Sequence, residues 1–446
     1  MAPTDPAPAD FGGTPRFRIV RRLGAGGMGV VYEAWDHERR MPVALKTLRS
    51  MSPERLLMFK NEFRALADLA HPNLAALYEL FEDAGQWFFT MELVDGVALT
   101  EYLTGPVDLP IDATRTRTRP SGETGGVTAP ARRAASAPVE APAWGPTEEE
   151  PELAAVDVAQ LAPLLAQIAR GLGELHRRGK VHRDIKPSNV LVTPAGRVVI
   201  VDFGLVAAAG EVVRGKAFMG TPGYMAPEQG GTGWVGPAAD WYAVGVMLYQ
   251  LLAGRLPFLG PPEDVIRAKQ RIAPIPPRVI NPAAPAALEA LCLALLRAAP
   301  ERRAGAVEVM AAIGAPEEPV VGSPAFVGRT RELAALDQAL ADAAAGPVLV
   351  SVRGESGIGK SALVAEWGAR LAERAVGSAL VLAGRCYERE SVPYKALDGV
   401  VDALARYLAH DGDAPALDPQ HEAIAVRAFP ALGAVFDAPA RPRGAT

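Results

Sequence analysis

The sequence predicts an α+β chain: a β-rich lobe, then an α-rich lobe, then a partial α/β domain. Three observations predict it. Between Phe17 and Lys46 the apolar residues alternate at the period of a strand, interrupted by a glycine cluster. From Leu161 onward they recur at the period of a helix. After Val348 a short apolar run leads into a second glycine-rich loop.

Bulk properties bound what such a chain can do. Its 446 residues exceed what one ordinary domain needs, and 49% hydrophobic residues suffice for sizeable cores. A net charge of -5 gives no overall basic field for nucleic acid or for an anionic membrane surface. The only cysteines, Cys292 and Cys386, are too few for a disulfide framework or a thiolate metal site, and the six histidines lack ligand-like spacing. A reducing cytoplasm is the expected compartment. Residues 1–16 are expected to be a disordered leader, because 1–10 are rich in Ala and Pro and lack the basic start and apolar run of a signal peptide. The apolar stretch 241–253 is shorter than the ~20 residues a bilayer demands. It reads as a buried core helix, and no membrane span is expected.

Taken in order, Phe17-Arg18-Ile19-Val20-Arg21-Arg22-Leu23 alternates as a half-buried strand does. Gly24-Ala25-Gly26-Gly27-Met28-Gly29-Val30-Val31 follows, a G-x-G-x-x-G-x-V loop. Dinucleotide sites and plain hairpin turns share those letters, but a dinucleotide fold sets a helix directly after the glycines. Here residues 30–34 and Met41-Pro42-Val43-Ala44-Leu45-Lys46 read as strands. The loop is therefore predicted as a hairpin tip whose backbone is free to close over phosphates. Ser52-Pro53 supplies an N-cap and a first-turn proline, and Phe59, Phe63, Leu66 and Ala70 recur at helical spacing as far as His71-Pro72. Glu62 lies in that helix.

From about 104 to 152 the composition turns to Pro, Ala, Thr, Gly and Arg, too poor in large apolar residues to offset the entropy of ordering. A disordered insertion is predicted. It reads either as a flexible linker or as a regulatory segment, since Thr114, Thr116 and Thr118 alternate with Arg115, Arg117 and Arg119, which could bind added phosphates. Leu161, Leu165, Ile168, Leu172 and Leu175 then mark an amphipathic helix, begun or kinked at Pro163. Residues 241–252 and 288–296 read as buried helices.

The densest chemistry lies at His182-Arg183-Asp184-Ile185-Lys186-Pro187-Ser188-Asn189, followed after a hydrophobic run by Asp202-Phe203-Gly204. These motifs set a proton-accepting carboxylate and two metal ligands on neighbouring loops, as moving a phosphoryl group from ATP requires. With the glycine loop, the V-A-L-K strand and Ala226-Pro227-Glu228 in the same order, residues of about 17 to 313 resemble a bacterial protein kinase of the eukaryotic Ser/Thr type.

That resemblance implies a bilobal protein-kinase fold that uses ATP and Mg2+. Gly24, Gly26 and Gly29, entered from Leu23, would cover the phosphates, and Val31, Ala44 and Leu191 would enclose the adenine. Lys46 would hold the α- and β-phosphates and pair with Glu62, a contact made only when the helix packs inward. Met91 would be the gatekeeper, and residues 92–94, from Glu92 to Val94, the hinge. Asp184 would accept or orient the proton of the substrate hydroxyl, and Lys186 would sit by the γ-phosphate. Asn189 and Asp202 would bind magnesium. Glu228 would pair with Arg303, and Asp240 would brace the catalytic loop. Lys186, with Gly220-Thr221 before Pro222, resembles the Ser/Thr branch rather than the Tyr branch.

One departure from that family stands out. Arg183 precedes Asp184, an arrangement linked with switching by a phosphate in the activation loop, yet no Ser or Thr lies between Phe203 and Gly220. Control by a phosphate at the centre of the loop is therefore not expected; Glu211 is a candidate fixed anion.

A second module follows a linker at 314–323. Phe326-Val327-Gly328-Arg329 and Arg331-Glu332-Leu333 announce it, and Val348-Leu349-Val350-Ser351-Val352 reads as a strand running into Gly354-Glu355-Ser356-Gly357-Ile358-Gly359-Lys360-Ser361. That is G-x-x-x-x-G-K-S, a phosphate cradle at a helix N-terminus. Gly354 and Gly359 would shape the loop, Lys360 would reach the β- and γ-phosphates, and Ser361 the metal. From 324 to 446 the chain resembles a partial AAA-type P-loop ATPase, as found after the kinase in some large bacterial signalling proteins. No hydrophobic strand ending in acidic residues follows to position water, so the expectation is binding without efficient hydrolysis, or a segment that does not fold alone. Expected partners are proteins with Ser or Thr acceptors, with self-association left open and no nucleic acid. The rival readings are a pseudokinase scaffold, which should lack one of Lys46, Asp184 or Asp202, and a nucleotide-sensing switch governed by the P-loop module.

Overall fold

The structure, a computed structural model, describes residues 11–25, 29–48, 52–67, 69–104, 158–204, 207–208, 221–231, 235–315, 326–355, 358–374, 379–386, 390–410 and 416–436. Most of the expected insertion, Glu211 and the linker lie outside them. The chain forms two compact units, one within Met1–Leu69, Ala76–Leu93 and Pro316–Thr446, the other within Ala70–Ala75 and Val94–Ala315.

The first unit begins with strands β1 (Phe17–Ala25), β2 (Gly29–Asp36) and β3 (Met41–Leu48), helix α1 (Pro53–Leu66), and strands β4 (Leu77–Asp83) and β5 (Gln86–Met91). All neighbouring strands here are antiparallel, in the order β1-β2-β3-β5-β4. Strands β1 and β2 pair as far as Ala25 and Val30, so the strands that flank the glycine loop form the expected hairpin, with residues 26–28 outside the described ones. Order begins ahead of Phe17. Phe11 is buried, its ring 5.2 Å from Phe88, and it shares a cluster with Phe17, Tyr32, Val43 and Leu45. Composition hid this, because a single aromatic in an Ala- and Pro-rich segment supplies the apolar surface that its neighbours lack. Ser52 caps α1 by accepting from the Arg55 backbone N–H at 3.3 Å, and Phe59 and Phe63 pack on Phe89 of β5.

The second unit contains β6 (Val97–Ala98), α2 (Leu99–Thr104), α3 (Val158–Arg177), β7 (Lys180–Val181), β8 (Val190–Val192), β9 (Val198–Ile200) and β10 (Ala207–Ala208). Helices α4 (Ala238–Ala253), α5 (Pro262–Arg271), α6 (Pro277–Ile280), α7 (Ala286–Leu295) and α8 (Ala306–Ala312) follow. Helix α3 is described from Val158 and runs through Pro163, which neither begins nor ends it. Helix α4 is buried from Ala239 to Ala253, as expected for an all-apolar stretch of that length. It meets α7 at Gly245, where an added Cβ would fall 2.7 Å from the Leu295 Cβ.

Returning to the first unit, α9 (Thr330–Asp342), α10 (Lys360–Arg374), β11 (Glu390–Ser391), α11 (Lys395–His410) and α12 (Pro419–Ala428) make up its later part. Strand β11 pairs in parallel with β4 and so extends the N-terminal sheet. The expected strand at 348–352 does not form. Residues 347–355 pair with no strand among the described residues, and Leu349 is 97% exposed. An apolar alternation makes a strand only when a neighbour accepts its hydrogen bonds. The apolar contacts here run instead through Leu333, Leu336 and Leu363, with Val352 and Trp367 packed against them.

Candidate active site

The first unit carries the side chains that the sequence singles out for phosphate, Lys46 and Glu62. Strand β3 aligns Lys46 opposite Val31 on one side and Phe89 on the other. Its ammonium donates to the Glu62 carboxylate of α1 at 2.6 Å, and both side chains are buried. Ala44, also buried, lies opposite Met91, which ends β5. The Glu92 backbone N–H donates to the Ala76 carbonyl at 2.8 Å, which fixes the chain directly after Met91. Gly29 lies so close to β3 that an added Cβ would fall 2.0 Å from the Thr47 carbonyl oxygen, so only glycine fits. Leu23 and Gly24 end the exposed edge of β1, and Val31 is half-buried on β2. Gly26 lies outside the described residues.

The second unit carries the expected proton acceptor Asp184 and its neighbours. The Lys186 ammonium lies 2.8 Å from the Asp184 carboxylate and donates to the Thr221 hydroxyl at 3.1 Å. The Thr221 hydroxyl in turn donates to Asp184 at 3.5 Å. Asn189 donates through Nδ2 to the Asp184 carbonyl at 2.9 Å and its carboxylate at 3.2 Å, which ties the two loop residues together. Leu191 lies on β8 opposite Val199, and Val94 is half-buried. Arg183 and Asp202 both adopt left-handed backbone conformations, with φ of 67° and 61°. Such conformations cost of order 1–3 kcal/mol each and persist where the surroundings over-determine them.

Those surroundings are visible. Asp240 accepts the backbone N–H groups of His182 and Arg183 at 2.9 and 2.8 Å and the His176 ring nitrogen at 2.8 Å. Burial works against this carboxylate, but the bonds and charge from His176 and His182 hold it below the ordinary range. Phe203 packs against the His182 ring at 5.3 Å. Downstream, Glu228 and Arg303 form a two-point pair at 2.6 and 2.9 Å, and the Gln229 amide donates to the Arg183 carbonyl at 3.0 Å. The Lys269 ammonium of α5 donates to the carbonyls of Pro222, Gly223 and Met225 at 2.7, 2.7 and 2.8 Å. Sequence reading passed over His176, Gln229 and Lys269. His176 sits in the last turn of a recognised helix, and Lys269 resembles any amphipathic-helix lysine, so neither carries a local signal. A surface cavity of about 820 Å³ lies elsewhere in this unit, against Arg271, Pro276, Leu296 and Arg302, and holds none of the phosphoryl-transfer residues.

Among the described residues no group of three or more His, Cys, Asp or Glu side chains could hold a metal alone. The donor set fits magnesium differently. Asn189 and Asp202 offer hard oxygens, and Mg2+ is ordinarily held by one or two such ligands together with phosphate oxygens.

At the later loop, the Lys360 ammonium at the start of α10 donates to the carbonyls of Gly354 and Glu355 at 2.9 and 2.7 Å, curling the chain around the helix N-terminus. Gly359 enters that helix at a φ of 94°. Ser361 is exposed beside it, while Ser356 and Gly357 lie outside the described residues.

A strand-rich sheet bearing a lysine paired with a helical glutamate in one unit, and a braced aspartate, lysine and asparagine in the other, are features of the protein kinase class. A protein kinase domain model matches residues 17–119 and 149–312, more than half of the chain, and the chain belongs to the protein kinase family. An AAA ATPase domain model matches residues 325–444. Among curated proteins, the chain is 33% identical over 295 residues to the DNA damage-responsive serine/threonine-protein kinase RqkA of Deinococcus radiodurans, covering 65% of this chain and 37% of that protein. It is 32% identical over 278 residues to the serine/threonine-protein kinase PknL of Mycobacterium tuberculosis, covering 59% of this chain and 58% of PknL. To the serine/threonine-protein kinase PrkC of Bacillus subtilis it is 29% identical over 284 residues, covering 62% of this chain and 37% of PrkC. The chain thus spans between about a third and three fifths of the length of these relatives.

Proposed function

We propose that this chain is a serine/threonine protein kinase that transfers the γ-phosphate of Mg-ATP to hydroxyls of protein substrates, itself included, in bacterial signal transduction. The observation that carries the reading is the contact of Asp184, Lys186 and Thr221 on a loop braced by Asp240. Asp184 accepts or orients the proton of the incoming hydroxyl, and Lys186 offers its charge to the γ-phosphate as negative charge shifts onto the leaving oxygen. Lys46, fixed by Glu62, holds the α- and β-phosphates, with Gly24, Gly26 and Gly29 of the hairpin over them and Val31, Ala44, Met91, Glu92, Val94 and Leu191 serving the adenine. Magnesium held by Asn189 and Asp202 would neutralise phosphate charge. The pseudokinase reading is disfavoured because Lys46, Asp184 and Asp202 are all present.

We further propose boundaries of 17–313 for the kinase domain, with an insertion at about 104–152, and of 324–446 for a partial P-loop domain. A cytoplasmic location suits the need for ATP and the two free cysteines. No helix among the described residues is long and apolar enough to cross a membrane.

The test is transfer of labelled γ-phosphate to a generic protein substrate and to the chain itself, with Asp184→Asn and Lys360→Ala beside wild type. Signal lost only in Asp184→Asn is the expected result. The geometry of Lys360 favours one second reading, a nucleotide-sensing switch, in which Lys360→Ala would alter transfer or assembly as well.

A further inference from the structure

Helix α1 carries Glu62 on one face and a pair of cations on the other. Lys60 and Arg64 are four residues apart and share a face, while Glu62, two residues from each, points about 200° away at ~100° per residue. Outside the kinase motifs, this opposite face is where the chain concentrates its buried charge. The Lys60 ammonium, fully buried, lies 2.7 Å from Asp398 and 3.2 Å from Asp402 of α11. The Arg64 guanidinium reaches Glu390 of β11 at 2.6 Å, Asp398 at 2.5 Å and Asp402 at 2.7 Å.

Apolar and backbone contacts join the same two segments. Leu57 of α1 shares a buried cluster with Ala405, Ala431, Leu432 and Phe436. Strand β11 adds to β4, where Ser391 donates to Glu79 at 2.9 Å. Burial raises the Asp402 carboxyl, the charge of Lys60 opposes that rise and the charge of Asp398 adds to it.

We propose that the described segments 390–410 and 416–436 act as a built-in clamp on α1, gripping its outer face so that its inner face keeps Glu62 against Lys46. This rests on the kinase reading of that pair. A helix anchored on one face by three carboxylates cannot turn or swing outward without breaking the buried pairs that Lys60 and Arg64 make with them, which is costly. The clamp therefore biases the helix toward the position in which Lys46 is held, and any change that frees these two segments from α1 lowers transfer.

The experiment uses the full chain in three forms: wild type, Asp398→Asn with Asp402→Asn, and Leu432→Ala. The last removes an apolar contact without touching a charge, so it guards against a double variant that fails to fold. Phosphoryl transfer is read with its KM for ATP, and amide hydrogen exchange is read along α1. The clamp predicts at least about a tenfold loss of kcat/KM in the double variant, a smaller loss in Leu432→Ala, and faster exchange in α1 in both. An active wild type with unchanged transfer and unchanged α1 exchange in the variants overturns the clamp and leaves the kinase reading standing. An inactive wild type overturns the kinase reading instead. The clamp is then decided by exchange alone, and it fails if α1 is equally protected in all three proteins.

Discussion

Thr221 shows how little freedom a single side chain has at the acceptor site. Its hydroxyl accepts from Lys186 and donates to Asp184, so a phosphate placed there would set a dianion against the Asp184 carboxylate and take the lysine from its role. Mass spectrometry of the active protein is expected to find no stoichiometric phosphate at Thr221, and control is expected to lie elsewhere. Lys269 makes a second case. Burial pulls its ammonium down to about 7 from an ordinary 10.5, while the three carbonyls it meets favour the charge. Between those values the unfolded chain holds more protons than the folded one, so stability rises with pH from about 7 to about 10.5. Function runs the other way, because the neutral amine has two N–H groups for three carbonyls and loosens the turn after Thr221. KM for protein substrate is expected to climb as pH passes 7 in wild type. In Lys269→Met it should be high at every pH, with kcat less affected and the stability slope removed; matching pH profiles for the two proteins would refute the role.

Among the elements, the β1–β2 hairpin is where sequence and structure agree most closely. Its alternation and its glycine cluster are local, period-two features that mark the strands without any long-range information, while the register that sets Lys46 opposite Val31 comes from the structure. Helix α1 was legible for the same reason, from its Ser-Pro cap and its phenylalanine spacing. What sequence could not show was the outer face of α1, because Lys60 meets its acids 338 and 342 residues away and a buried lysine reads like a solvated one. The strand expected at 348–352 failed for the converse reason: its letters were right, but pairing depends on a neighbour. At the hairpin itself, Gly29→Ala is expected to push β2 off β3 at the Thr47 carbonyl, with a cost of about 1–3 kcal/mol and a rise in KM for ATP of about tenfold. Thermal melting and ATP-dependence together check it, and an alanine variant with wild-type KM would show that the strands yield at that point.

The chain as a whole carries two lysines proposed to hold phosphates, and their surroundings differ. Lys46 is buried and anchored by a carboxylate, so it is held ready whether or not nucleotide is present. Among the described residues Lys360 donates to two loop carbonyls, which an anion could displace, whereas Lys46 donates to a carboxylate. Two independent nucleotide equivalents per chain are therefore expected by equilibrium binding, falling to one in Lys46→Met and to one in Lys360→Ala. Each occupied site adds stability by mass action, about 2.7 kcal/mol at a hundredfold excess over Kd, so the two losses should appear as separate reductions in the nucleotide-induced rise of Tm. Phosphoryl transfer should follow only the Lys46 site. If transfer also tracks occupancy at Lys360, the later loop is a sensor for the kinase, and α11, which lies between that loop and the C-terminus in sequence and grips α1, is the element through which it acts.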